Sequence, residues 1–298
     1  MFFIFVKMKQ RLLKLFPYIG LVVTLLSISC SNSNNSIKMK GSDTEVNLAV
    51  NLAEKFTEQD PTFSIAISGG GSGLGITSLL NGQADIANSS RPLSEEEEQQ
   101  FKEKKIALKT VVFAEDATAF VVHKDLPIDE IDVETLAKIL SGEIRNWSEL
   151  ANVYYPINIY GRQSSSGTHS FIKKKLTIEF SNAAKEMTGN AQIIEGVKAD
   201  KTGIGYVGAG YVAHDPLATQ GIKVLEIMEK KGEKAVSPLD EEAINKGAYF
   251  FQRPLYQFVL AESWEKVRPF IAFERSTIGR KLIEDHGYYI LDSQEDEI

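Results

Sequence analysis

Three junctions in this chain, each joining extended or loop sequence to a helical pattern, are built from glycine and hydroxyl residues. They are Gly41-Ser42-Asp43-Thr44, Gly69-Gly70-Gly71-Ser72-Gly73, and the run from Gly161 to His169, which reads Gly-Arg-Gln-Ser-Ser-Ser-Gly-Thr-His. The third follows the strand-like Ile157-Asn158-Ile159-Tyr160 and leads into a helix beginning near Thr168. A helix that starts there aims its unpaired backbone N–H groups and the positive end of its dipole back at the loop. Ser165, Ser166 and Thr168 add hydroxyl donors, and Arg162 adds a planar fork. Any one such cluster is ordinary turn punctuation. Three of them with an arginine point to a cradle for one small tetrahedral anion. Stricter phosphate and nucleophile motifs are absent. No Gly-x-x-x-x-Gly-Lys-Ser/Thr run occurs, Gly69 to Gly75 lack dinucleotide spacing, and the residue two beyond Ser72 is Leu74 rather than glycine.

The first 29 residues hold Lys7, Lys9, Arg11 and Lys14 with no acidic residue, then an apolar run from Tyr18 to Ile28 that ends at Ser29-Cys30. That pattern predicts an export signal, too short to span a membrane with confidence, and lipidation of Cys30. The position three before the cysteine is Ser27 where an aliphatic residue is usual, so a cleaved signal with a free thiol, or an uncleaved anchor, stays open. The polar stretch Ser31 to Ser36 predicts a flexible tether. Loss of the leader takes four basic residues with it and moves the formal charge from −7 to −11. Net attraction therefore does not explain anion binding, which has to come from locally aimed dipoles and one or two cations. The same charge argues against nucleic acid as a partner. His123, His169, His214 and His286 are dispersed, so no metal site and no cofactor is expected.

Apolar spacing at Val46, Ala49, Val50, Ala53 and Phe56 predicts a helix over 44–59, ended by Asp60-Pro61. Strands are expected at 63–67, 84–87, 108–114, 117–122, 157–160 and 254–260. Helices are expected after the glycine loop, over the charged run 95–105, at 133–140, from Thr168 to about Phe180, and twice within 264–286. Alternation of this kind implies an α/β fold with mainly parallel sheets.

Five segments together carry a family likeness: Gly41 to Thr44, Gly69 to Gly75, Asn88-Ser89-Ser90-Arg91, Gly142-Glu143-Ile144-Arg145-Asn146-Trp147, and Arg162 to Thr168. In that order they resemble the extracytoplasmic phosphate-binding proteins of ABC-type phosphate importers, over most of the chain after Ile37. The resemblance implies a periplasmic-binding-protein-like fold of two α/β lobes with the ligand between them. It divides the chain into a leader at 1–29, Cys30 and a tether to 37, a first lobe of 38–116 with 257–298, and a second lobe of 117–256. It implies a phosphate site of Ser42, Asp43, Thr44, Ser72, Ser90, Arg162, Ser166, Gly167 and Thr168, and a membrane permease as partner to a monomeric, lipid-anchored protein of the bacterial cell envelope. Some relatives carry an aspartate where this chain has Ser90. Asp43 is then either the replacement carboxylate, accepting a proton from phosphate and repelling sulfate, or the N-cap of the 44–59 helix. Arg91 reads as a rim or interlobe ion-pair residue. Two other functions compete: a receptor for sulfate, molybdate or a phosphonate, and a phosphatase with His169 as base. A non-enzymatic phosphate receptor is the expected reading.

Overall fold

Two strands run between the two large hydrophobic cores of this protein, and the rest of the architecture follows from their course. The computed structural model describes residues 35–213 and 219–290; the leader and Cys30 lie outside them. The chain opens with β1 (Ser36–Gly41), α1 (Val46–Gln59), β2 (Ser64–Ser68), α2 (Ser72–Leu80), β3 (Ile86–Ser89) and α3 (Glu95–Glu103). It continues through β4 (Leu108–His123), β5 (Glu130–Asp132), α4 (Val133–Ser141), β6 (Asn158–Arg162), α5 (Gly167–Leu176), β7 (Lys185–Met187), α6 (Asn190–Ala199) and β8 (Gly203–Gly208). After β9 (Ile222–Val224), β10 (Glu226–Met228) and α7 (Glu241–Asn245) come β11 (Gln252–Leu260), α8 (Trp264–Glu274) and α9 (Thr277–Asp285).

The main sheet runs β2-β1-β3-β11-β4-β8-β6-β7, with β9 also on β4, and β10 pairs with β5 apart from it. Its flanks are parallel: β1 with β3, and β6 with both β7 and β8. Helices join successive strands there, as parallel pairing requires. The antiparallel ladders β11 with β3 and β4, and β4 with β8 and β9, all involve β4 or β11. The first half of β4 pairs with β11, and its second half with β8 and β9. Ile37, Leu48, Phe56, Val111, Leu255 and Phe270 share one core, with Phe56 in ring contact with Phe63, Phe270 and Phe273 at 5.1–5.6 Å. Phe120, Trp147, Ile159, Tyr206 and Phe251 share the other. The chain thus passes from the first core to the second along β4 and returns along the start of β11. The expected return at 257 lies inside β11, whose Leu255 already packs in the first core.

Two of the differences from the sequence reading come from packing. What reads as separate strands at 108–114 and 117–122 is one strand, because the polar pair Glu115-Asp116 does not break it. Asp116 is buried and ion-paired, and every residue from there to His123 is buried. In α1 the buried stripe is Leu48, Ala49, Leu52, Ala53 and Phe56, while Val50 is exposed. The apolar face is rotated toward the leucines, the larger side chains and so the ones that gain more from burial.

Candidate functional site

The glycines of the three junctions bring the loops together. Gly71 N–H donates to the Gly41 carbonyl at 2.9 Å and Gly73 N–H to the Ser165 carbonyl at 3.0 Å, while Ser42 N–H donates to the Asn88 carbonyl at 2.8 Å. A Cβ on Gly71 would lie 2.8 Å from the Ser165 carbonyl, and one on Gly41 2.1 Å from that of Asn88. Both residues also hold positive φ, 107° and 141°, where side chains are strained. These backbone donors are therefore engaged in joining loops, and the hydroxyls supply the site's polar character.

Those hydroxyls converge from four junctions. Thr44 Oγ1 lies 3.1 Å from Thr168 Oγ1. Ser90 N–H donates to Ser72 Oγ at 3.1 Å, and a Cβ on Gly167 would fall 2.2 Å from Ser72 Oγ and 2.5 Å from Ser90 Oγ. Ser166 caps α5, accepting from His169 N–H, and Ser42 Oγ accepts from Thr44 N–H. Ser42, Thr44, Ser72, Ser90, Arg162, Ser166 and Thr168 are each at most 3% exposed. Seven of the nine expected site residues meet in this way; the eighth, Arg162, stands beside Asp43. Ser165 is different: its side chain is exposed, and it takes part through its carbonyl.

The ninth, Asp43, stands at the edge of the cluster. It does not cap α1, whose N-cap is Glu45 without a side-chain hydrogen bond. Its Oδ2 accepts from the backbone N–H of Asn190, the first residue of α6, at 2.9 Å and from Asn190 Nδ2 at 3.3 Å. Its carbonyl accepts from Asn190 Nδ2 and the Tyr211 hydroxyl, and Oδ2 lies 3.6 Å from Arg162 Nη1. A carboxylate at a helix N-terminus is favoured by the dipole, so Asp43 fastens the first junction to α6.

Arg162 is buried. Its backbone N–H donates to the Tyr206 hydroxyl at 2.9 Å and its Nη2 to the Thr188 carbonyl at 3.0 Å. Its Nη1 has no hydrogen-bond acceptor among the described residues. Burial lowers its pKa; Asp43 offsets part of this, and the charge of Arg253 lowers it further. Two buried guanidinium groups thus sit close enough to repel. Arg253 was not anticipated from the sequence. It donates through Nε and Nη2 to Asp116 Oδ2 at 3.0 and 2.7 Å, and its Nη1 also lacks an acceptor among the described residues. The available signal was charge inside two apolar runs, the pair Glu115-Asp116 in 111–122 and Arg253 alone in 249–260. Glu45, fully buried beside them, has its pKa raised to about 8 by burial, with the Ser42 hydroxyl and Arg253 pulling the other way.

Three other polar residues lie outside the cluster. Arg91 forks onto Glu97 of α3 with both Nη atoms at 2.7 Å, an ion pair within the first half of the sheet and not between halves. Asp85 accepts from Lys38 N–H and the Ser263 hydroxyl and pairs with Lys266. His169 lies against the Phe180 ring at 4.5 Å, its pKa lowered by burial and then by Lys173.

Residues 30–273 match the PBP superfamily domain. The phosphate-binding protein PstS of Borreliella burgdorferi is 30% identical over 288 residues, 92% of this chain and 98% of the relative. That of Staphylococcus haemolyticus is 30% identical over 258 residues, 84% and 79%. Among solved structures, an ABC-type phosphate transport receptor from Vibrio cholerae is 27% identical with a TM-score of 0.66, covering 86% of this chain and all of its own. A Clostridium perfringens substrate-binding protein with bound phosphate has a TM-score of 0.76 at 24% identity, over 87% of this chain and all of its own, a likeness of fold.

Proposed function

The chain belongs to the PBP superfamily, among relatives of the phosphate-binding proteins PstS, and from that membership we propose that it captures inorganic phosphate outside the cytoplasmic membrane and delivers it to the permease of an ABC-type importer. What carries an oxyanion at this site is the buried guanidinium of Arg162, whose Nη1 no described residue accepts from, set among buried hydroxyls with the charge of Arg253 acting on it. Buried donors without acceptors are costly, by about 1–3 kcal/mol each and more for charged groups. An anion relieves that cost and the mutual repulsion of the cations together. Arg162 supplies the principal cation; Ser42, Thr44, Ser72, Ser90, Ser166 and Thr168 supply hydroxyls, and Gly167 leaves room for close approach. Asp43 borders the ligand and accepts its proton. A protein of this kind binds and releases without chemistry, which suits relatives named as binding proteins. Among the described residues no helix is long and apolar enough to cross a membrane. Membrane attachment would then come from lipid on Cys30, the protein remaining monomeric.

Titration of the protein with phosphate, arsenate, sulfate and molybdate, alongside a turnover assay on phosphate esters, tests this function. Saturable phosphate binding without ester hydrolysis is the expected result; preference for sulfate or molybdate, or turnover, would replace it. Stable anchoring needs more than one acyl chain, so Cys30→Ala should move the protein from the membrane fraction to the soluble one. Mass spectrometry finding an unmodified Cys30 in the mature protein would remove the anchor.

A further inference from the structure

Arg253 reaches the hydroxyl cluster from β11, a strand that contributes none of the glycine-and-hydroxyl junctions. Its Nη2 lies 2.7 Å from Asp116 Oδ2, 3.0 Å from Thr168 Oγ1 and 3.3 Å from Thr44 Oγ1. A guanidinium Nη2 carries two hydrogens. One serves Asp116, so the other is shared between the two threonine hydroxyls, which are themselves 3.1 Å apart. Thr44 precedes α1, which packs in the first core, and Thr168 lies in the first turn of α5, which packs in the second. One shared N–H therefore holds together two hydroxyls from different halves of the molecule.

A hydroxyl has one proton to donate and two lone pairs to accept with. Two isolated hydroxyls at this distance would donate one to the other, and the remaining one could donate to or accept from a ligand. The shared N–H changes that, because it takes one lone pair of each oxygen and the guanidinium charge behind it turns both hydroxyl protons away from Arg253. We propose that Arg253 is a positioning residue for anion binding, which makes Thr44 and Thr168 a pair of donors to one unprotonated oxygen of phosphate, with Asp116 setting the angle of its fork. The proposal rests on the phosphate function above.

The surroundings fit this role. Arg253 and Asp116 are buried on the two strands that pass between the cores, so the fork has a rigid base. The Phe171 ring lies 5.1 Å from the Arg253 guanidinium carbon. Gly208 keeps the remaining side open, since a Cβ there would come within 2.8 Å of Thr44 Cγ2 and 3.3 Å of Asp116 Oδ1. A lysine at 253 would keep the charge but has no planar fork with which to serve Asp116 and both hydroxyls at fixed angles.

The test is a double-mutant cycle read by calorimetric titration of the full chain with inorganic phosphate. Thr168→Val should weaken binding about tenfold, as loss of one hydrogen bond to a charged ligand does. Arg253→Lys should also weaken binding about tenfold, and adding Thr168→Val to it should cost less than about threefold, because the hydroxyl is no longer held as a donor. If Arg253 only ties β4 to β11, the two losses multiply, and that result overturns the proposal. So does an Arg253→Lys protein that binds within about threefold of wild type. Should Arg253→Lys fail to fold, the pair Asp116→Asn with Arg253→Gln replaces the ion pair by a neutral hydrogen-bonded one, and the cycle is run in that background with the same criterion. Wild-type protein that takes up no phosphate would overturn the functional assignment itself, and this role with it.

Discussion

At the residue scale, Arg162 and Asp43 stand 3.6 Å apart, longer than the roughly 2.7–2.9 Å of a charge-assisted hydrogen bond. Arg162 is thus steadied by Asp43 without being used up by it. Arg162→Ala should weaken phosphate binding by about 2–5 kcal/mol, thirtyfold or more, a loss calorimetry reads directly; near-normal affinity in a folded variant would take Arg162 out of the site. Asp43 has two separable roles. As the carboxylate at the start of α6 it is a fastening, and as a proton acceptor it would discriminate hydrogen phosphate from sulfate. Asp43→Asn keeps an acceptor for Asn190 N–H but cannot repel a fully ionised anion, so the phosphate-to-sulfate affinity ratio should narrow. An unchanged ratio with a lower melting midpoint of the unliganded protein would leave Asp43 as the fastening alone.

At the scale of elements, the local signals were the most legible ones. A helix was expected to begin near Thr168, and α5 begins at Gly167 with Ser166 as its cap, while Gly41 and Gly71 hold the positive φ that glycine permits. The charged run after Ser94 forms α3 with a capping box to Glu97, and only Phe101 of that helix is buried. Spacing was less reliable where apolar residues crowd several faces: in α1 the expected stripe included Val50, and packing chose Leu48 and Leu52. Gly167 belongs to this scale because it lets α5 approach α2 and the loop after β3. Gly167→Ala places a methyl 2.2 and 2.5 Å from two serine hydroxyls. It should destabilise the fold by about 1–3 kcal/mol through overpacking and lower phosphate affinity at least tenfold. Thermal denaturation and titration on one sample check both, and unaltered affinity would mean that the two serines do not frame the ligand.

For the whole molecule, the buried carboxyls set a pH dependence. Glu45 and Glu274 both have pKa values raised to about 8, burial being the largest cause in each. A carboxyl raised in the folded state is protonated there while the unfolded chain has already lost its proton, so stability falls as pH rises toward the folded value. His169, depressed below its ordinary 6.5, acts in the opposite sense but is neutral in both states above that pH. Asp200, lowered to about 2, is ionised in both states there. Between about pH 7 and 8 the melting midpoint should therefore fall, by the equivalent of at most about 1.4 kcal/mol per pH unit for each carboxyl. Glu45→Gln should flatten the slope; an identical slope would show that Glu45 does not titrate there. None of this was legible from the sequence, in which Glu45 is one acidic residue among many. The sequence by itself determined the alternation of strand and helix, the glycine junctions and the hydroxyl set, because periodicity, φ and capping are demands met within a few residues. Tertiary structure alone decided that Glu115-Asp116 continues a strand, that Asp43 serves α6 rather than α1, and that Arg253 meets Asp116 from 137 residues away and Thr44 from 209. A buried charge is tolerable only opposite its partner, and which partner stands there depends on how β4 and β11 pair across the molecule, a register that no local window of sequence contains.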